Sequence, residues 1–243
     1  MFESIIEFSA AKEYIENSEE THPIPIKNNI PDWFKKLKHT KESMTIKGCM
    51  PFLDTLTSGY LLKMPVDYHI KHNIEFEGKK CSGMQTGRGG RNEYNLNYNG
   101  GDDYHATAQL GSSPLVEKNK NQPFHKILNP WFIKTPPGYS TLFVPPLNNT
   151  DDRFSIIPGI VDTDTFKNNV NFPFTVNGDK YEILETTISL GTPYVQLIPF
   201  KRDQWKMQIK ERSIKKRRIE EFFAMKYVIN NYKKIFWSKK SWK

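Results

Sequence analysis

The chain has no run approaching the ~20 apolar residues that a membrane span needs, and its first residues, MFESIIEF, are acidic where a secretory leader is basic. These features lead us to expect a cytoplasmic protein without a membrane partner. Cysteine is scarce: Cys49 and Cys81 are the two in 243 residues, and neither lies in a CxxC pair. That gives a thiolate zinc site little support and, with no secretory signal expected, favours two reduced, packed thiols over a disulfide. No repeat of fixed period is present. Helix-breaking residues are not lacking: 16 prolines and 14 glycines, spread along the chain, exclude a helical bundle and favour many short strands and turns. At 37% hydrophobic and 13% aromatic, the composition suits a packed globular protein.

The net charge of +8 is unevenly placed. Residues 201–243 hold 15 Lys/Arg against 4 Asp/Glu, or +11, which leaves −3 on the rest. The basicity therefore belongs to the tail.

The pattern predicts three parts. Residues 1–44 form an N-terminal arm, with a short helix near Ala10–Asn17 and three prolines between Pro23 and Pro31 that forbid regular helix there. PDWFKKLK restarts a helix, and Trp33, Phe34 and Leu37 are expected to clamp the arm onto the body. Residues 45–202 form a β-rich body. In it, YHIKHNIEF alternates with Ile70, Ile74 and Phe76 as inward positions, and NPWFIKTPPGYSTLFVPP reads as strand, turn, strand and stop. GIVDTDTF and NVNFPFTV are expected to pair, and TPYVQLIPF is a last strand. Residues 203–243 lack Pro and Gly and carry apolar residues at helical spacing, among them Ile219, Phe222, Phe223, Val228, Ile229, Tyr232 and Phe236. The expectation there is one long basic amphipathic helix, with Ser213 a candidate break.

Two aspartates end an apolar run in IIPGIVDTDTF. Asp162 and Asp164, two apart, share a strand face. Carboxylates so placed suit a hard cation or a general base, and equally a turn that accepts backbone N–H groups. Histidines are the other candidates: His69 and His72 beside Asp67, with His105 and His125 further on. No His-x-Asp/Glu pair exists to start an iron-binding facial triad. TGRGGRNEYNLNY, with Tyr94 and Tyr98, has residue types that stack on single-stranded nucleic acid, or pack within a loop. The run Lys215, Lys216, Arg217 and Arg218 is suited to phosphate or to an acidic protein surface.

PGIVDTDTF followed by LGTPYVQLIPF resembles two adjoining motifs of the dUTPase and dCTP-deaminase superfamily. Gly159, Ile160, Val161, Asp162 and Asp164 match the first, and Gly191, Gln196 and Leu197 the second. The resemblance implies a β-clip-like sandwich or barrel, with Asp162 orienting an attacking water and the surrounding hairpin holding a pyrimidine nucleotide. LTSGYLLKMP weakly resembles an earlier strand of that family. Pro145, Pro146 and Leu147 stand where its phosphate-contacting Arg-Ser motif belongs, Thr165 stands where a tyrosine follows the second aspartate, and the glycine-rich C-terminal arm is replaced by the basic tail.

The whole chain is also similar to an uncharacterised family of marine tailed phages and some bacteria, through NPWFIKTPPGYS, GIVDTDTF and GTPYVQLIPF. That implies a viral origin, in the host cytoplasm or in a virion.

The leading expectation is a diverged, non-catalytic β-clip protein acting as a binding or assembly module, self-associating or attached to a viral or host protein. One alternative is a nucleotide hydrolase using Asp162 as base, Asp164, Gly159 and Gln196 to shape the site, Mg²⁺ on the phosphates, and Arg88 and Arg91 in place of the missing phosphate contacts. The other is nucleic-acid binding through residues 201–243.

Overall fold

Proline and glycine cut the chain into short strands, and the strand pairs whose register is described are antiparallel. The computed structural model describes residues 4–17, 19–40, 45–86, 104–148, 151–225 and 232–243. The described strands are β1 (Glu7–Ser9), β2 (Ile24–Pro25), β3 (Tyr60–Lys63), β4 (Tyr68–Phe76), β5 (Lys79–Thr86), β6 (Tyr104–His105), β7 (Phe124–Ile127), β8 (Phe132–Lys134), β9 (Tyr139–Val144), β10 (Phe154–Ile156), β11 (Gly159–Val161), β12 (Phe172–Val176), β13 (Leu184–Ile188) and β14 (Pro193–Lys201). Helices are few and short: α1 (Lys12–Asn17), α2 (Asp32–Lys36), α3 (Met50–Thr55), α4 (Pro114–Lys118) and α5 (Ile214–Met225). The protein is mainly β, as its composition predicts.

The chain divides into two compact units: one takes Met1–Ile24 with Gly59–Lys201, the other Pro25–Ser58 with Arg202–Lys243. The first unit carries the sheets. Their orders are β11-β9-β14-β3-β2, β10-β12-β7-β6, β13-β4-β5 and β1-β8. None of them closes on itself among the described residues, so the barrel form of the expectation is replaced by open sheets. Leu62, Ile70, Ile127, Phe143, Phe172, Tyr194 and Val195 form the shared core. Each such side chain contributes roughly 1.5–3 kcal/mol by leaving water.

Turn chemistry explains several joints. β4 and β5 are linked by Glu77–Gly78, both at positive φ (49° and 74°), a two-residue turn whose twist matches the strands. Gly59 is required twice over: its φ is +84°, and a Cβ there would lie 2.1 Å from the carbonyl oxygen of Leu197.

Four expectations are corrected. The alternation in β4 does not run through: its register shifts between Lys71 and Ile74, with Asn73 at φ 53°. This bulge changes the phase, so Ile70 and His72 are buried while Phe76 is exposed. GIVDTDTF does not pair with NVNFPFTV; β11 pairs with β9, and β12 with β10 and β7. Residues 45–58 hold no strand among those described, only a 3₁₀ turn at Ile46–Gly48 and α3. Cys49 and Cys81 are both free thiols, but Cys49 is exposed rather than packed.

The tail needs the largest correction. The long helix over 203–243 is not formed: residues 202–213 are non-helical, α5 starts after Ser213, and only a single π-helical turn, Tyr232–Phe236, follows among the described residues. The reason is local. Trp205, Met207 and Ile209 alternate with Lys206, Gln208 and Lys210, a period of two that suits extended chain. Ser213 then opens the helix, its carbonyl accepting from Arg217 N at 3.0 Å.

In the second unit, Trp33, Phe34 and Phe52 form a ring cluster, Phe34 stacking on Phe52 at 5.8 Å between centroids. Asp54 there accepts the indole N–H of Trp237 at 3.1 Å and the ammonium of Lys240 at 2.5 Å.

Candidate functional site

The paired aspartates stand where β11 ends. β11 runs beside β9 with Gly159 opposite Phe143, Ile160 opposite Leu142 and Val161 opposite Thr141. The chain then turns, the carbonyl of Asp162 accepting from Thr165 N at 3.0 Å and Phe166 N at 2.9 Å. The Asp162 carboxylate accepts from Ser140 Oγ at 2.5 Å, and Asp164 accepts from the backbone N–H of Gly138 at 2.8 Å. Gly138, at φ +86°, is the third residue of the Pro-Pro-Gly turn, closed by Tyr139 N donating to Pro136 O at 3.3 Å. Both aspartates thus brace the two turns that flank the start of β9.

Thr163, between them, points the other way and is 1% exposed. Its hydroxyl lies 2.7 Å from that of Thr135 and 2.8 Å from that of Thr141, both buried. Sequence reasoning singled out the aspartates and missed this threonine trio; the signal was a polar residue between the two aspartates, in the turn that follows the apolar strand.

Gln196 is fully buried in β14 and accepts from Leu147 N at 2.9 Å. It pairs with Val144, at the end of β9 opposite to Ser140. Four residues of strand, roughly 13 Å, therefore separate it from the aspartates, and the structure does not join Asp162, Asp164 and Gln196 in one site. Gln196 instead holds the Pro145-Pro146-Leu147 turn, whose prolines wall a cleft of about 230 Å³. Lys118, Asp151, Asp152, Thr175, Asn177 and Tyr194 also line it. Asp151 receives Nε and Nη2 of Arg153 at 2.9 and 2.7 Å, which holds its carboxyl below the usual range. Asp152 is lowered likewise by Lys180 Nζ at 2.6 Å and the Tyr181 hydroxyl at 2.9 Å. These carboxylates were not among the sequence candidates, since an Asp-Asp-Arg before a strand carries no spacing signal.

Gly159 has no atom within 4 Å of where a Cβ would be, and its φ is not in the left-handed region. Gly159→Ala is therefore expected to be neutral or stabilising by about 0.5 kcal/mol, read from the urea midpoint. A loss above 1 kcal/mol would mean that something approaches this backbone closely.

The histidines do not gather into one site: His72 and His125 lie close enough for the charge of one to act on the other, while His69 and His105 have partners elsewhere. His69 contacts Thr187 and Glu185 at 3.1 and 3.2 Å, and His105 contacts Gln109. His72 is buried on β4 and His125 on β7. Asp67 accepts from Leu190 N at 2.7 Å. Among the described residues no group of three His, Cys, Asp or Glu side chains is placed to hold a metal ion, and no helix is long and apolar enough to cross a membrane.

Arg88, Arg91, Tyr94 and Tyr98 lie outside the described residues. Lys215, Lys216, Arg217 and Arg218 sit on the first turns of α5, all exposed, with Arg217 on Glu221 at 2.7 Å and Arg212 on Glu220. Just before them Trp205, Met207 and Ile209 are 91%, 83% and 87% exposed. No family model matches the chain, and no curated protein does either.

Proposed function

We propose that the protein is a non-catalytic binding or assembly module, a diverged relative of the β-clip superfamily and of viral origin. One observation carries the reading: among the described residues the most exposed large apolar side chains belong to a strongly basic tail, with Trp205, Met207 and Ile209 almost fully exposed. Apolar surface of this kind, rimmed by charge, marks an interaction site. The use of Asp162 and Asp164 as turn braces, and the separation of Gln196 from them, speak against a nucleotide hydrolase built on these residues. The kinship itself is supported by placement, since the two resembling blocks lie on β11 and β14, the two neighbours of β9.

A thermal-shift screen against nucleotides with Mg²⁺, beside an Asp162→Ala control, tests the reading. No nucleotide is expected to move the midpoint beyond the effect of Mg²⁺ alone. Ligand at ~100 times its dissociation constant adds about 2.7 kcal/mol, so binding would be plain. A shift that disappears in Asp162→Ala overturns the module and restores the hydrolase.

The second reading, nucleic-acid binding, is favoured by Lys215, Lys216 and Arg218, exposed together at the start of α5. It requires an affinity that falls steeply with salt.

A further inference from the structure

Resting on the module reading, we propose that the basic tail docks the protein on the surface of an anionic lipid bilayer. Helix α5 supplies the first observation. At 3.6 residues per turn, Lys215, Arg218, Ile219 and Phe222 fall on one side of it, and Arg217, Glu220 and Glu221 on the other. Ile219 and Phe222 are 48% and 65% exposed, and Lys215 and Arg218 are exposed beside them. Both carboxylates of the helix are held on the far side, Glu221 by Arg217 at 2.7 Å and Glu220 by Arg212. The near side is therefore apolar and cationic, with no acid of the helix on it.

The stretch leading into the helix has the same character. Residues 202–213 are non-helical, and Trp205, Met207 and Ile209 face solvent there among the exposed Lys206 and Lys210. The charge of the tail, +11 over residues 201–243, is of one sign on the scale of a whole surface. An anionic bilayer offers the complement: each Lys or Arg brought to it strengthens binding about fivefold.

Lipid uses both halves of this surface. Cations meet the headgroup phosphates while apolar side chains dip just below them, and tryptophan favours that depth. The non-helical backbone of 202–213 stays at headgroup level, where water still reaches its N–H and C=O groups. Single-stranded nucleic acid would take the cations and stack on Trp205 and Phe222, but would leave Met207, Ile209 and Ile219 in water. A second copy offers the tail only the −3 that the rest of the chain carries. No helix among the described residues is long and apolar enough to cross a bilayer, and lying on its surface requires none. The expectation of no membrane partner, drawn from the lack of an apolar span, does not extend to such a contact.

The test sediments the full chain with vesicles of phosphatidylcholine, alone or with about one third phosphatidylserine. Wild type is expected in the pellet with the anionic vesicles only, and less of it as salt rises from about 0.1 M to about 1 M and the screening length falls from roughly 10 to 3 Å. Lys215→Gln/Lys216→Gln/Arg218→Gln is expected to weaken binding roughly a hundredfold. Trp205→Ser/Ile209→Ser/Ile219→Ser is expected to weaken it at least about tenfold. All six positions are exposed, so both variants are expected to keep the far-UV circular dichroism of wild type. A wild type that stays in solution with anionic vesicles, or pellets equally with neutral ones, overturns the proposal. Binding that the apolar variant does not weaken is adsorption by charge alone and overturns it too. A wild type that ignores vesicles but binds single-stranded DNA overturns it in favour of nucleic acid. None of these outcomes bears on the nucleotide screen, so the module reading stands or falls separately.

Discussion

Lowering the pH from 7 to 4 is expected to remove about 3 kcal/mol of stability through His72 alone. Its ring is 2% exposed on β4, with Nδ1 3.3 Å from Ser82 Oγ and Nε2 without a hydrogen-bond partner among the described residues. Burial pushes its pKa down to about 4 from 6.5, helped by His125 and Lys120 and opposed by Glu182. The unfolded chain therefore takes up the proton first. The stabilisation is complete above 6.5, shrinks as the pH falls towards 4, and is gone below that. Urea melts of wild type and His72→Gln across this window measure it: the variant is expected to show a slope flatter by the same amount. Glu185, held below its usual range by Lys71, is not among the charges that act on His72 and cancels in the difference, whereas Glu182, held down by Lys120, is coupled to His72 and its response belongs to what the difference measures. Equal slopes in the two proteins would mean that His72 takes up its proton as readily in the fold as in the unfolded chain.

Thr163→Val is expected to cost about 2–3 kcal/mol, although the two side chains have nearly the same shape. The hydroxyl it removes is shared by Thr135 and Thr141, all three residues being at most 2% exposed, so the change takes this partner from the buried Thr141 hydroxyl and leaves Thr135 its long bond to the carbonyl of Tyr139 at 3.4 Å. Asp162→Asn keeps an acceptor for Ser140 Oγ and is expected to stay within about 0.5 kcal/mol. Urea unfolding of both variants decides which residue of the Asp-Thr-Asp run carries the structure. If Asp162→Asn were the costlier, the carboxylate charge and not the buried trio would hold the turn.

What the sequence makes legible follows from what is local. Pro136-Pro137-Gly138 gives its turn because two fixed φ angles and one residue free to take a positive φ leave the backbone little choice. β14 was readable from its unbroken apolar run, and Asp162 and Asp164 were rightly placed at a strand end. Pairing was not readable. β11 chooses β9 over the neighbouring β12 because burying Thr163 against Thr135 and Thr141 needs a strand from earlier in the chain. The bulge at Asn73 is equally silent, since one inserted residue leaves the composition unchanged while reversing every later side chain. In the tail, helical spacing from Ile219 onward was extended backward over Trp205–Ile209, where period two competes with it and prevails. The cleft residues Asp151 and Asp152 depend on partners 28 or more residues away, Lys180 and Tyr181, or on an arginine next door that any loop could carry.

The bond between Asp54 and Trp237 spans 183 residues, and that sets a timetable for the nascent chain. The second unit begins at Pro25, is interrupted by the whole of Gly59–Lys201, and resumes at Arg202. A ribosome adding roughly 5–20 residues per second delivers Trp237 some 10–40 s after Asp54. Gly59–Lys201 can therefore finish folding while Phe34 and Phe52 still await the residues that complete their unit. Pro25–Ser58, made before Gly59–Lys201, is completed after it, and in the cell that interval is when its apolar rings are open to chaperones or to other chains.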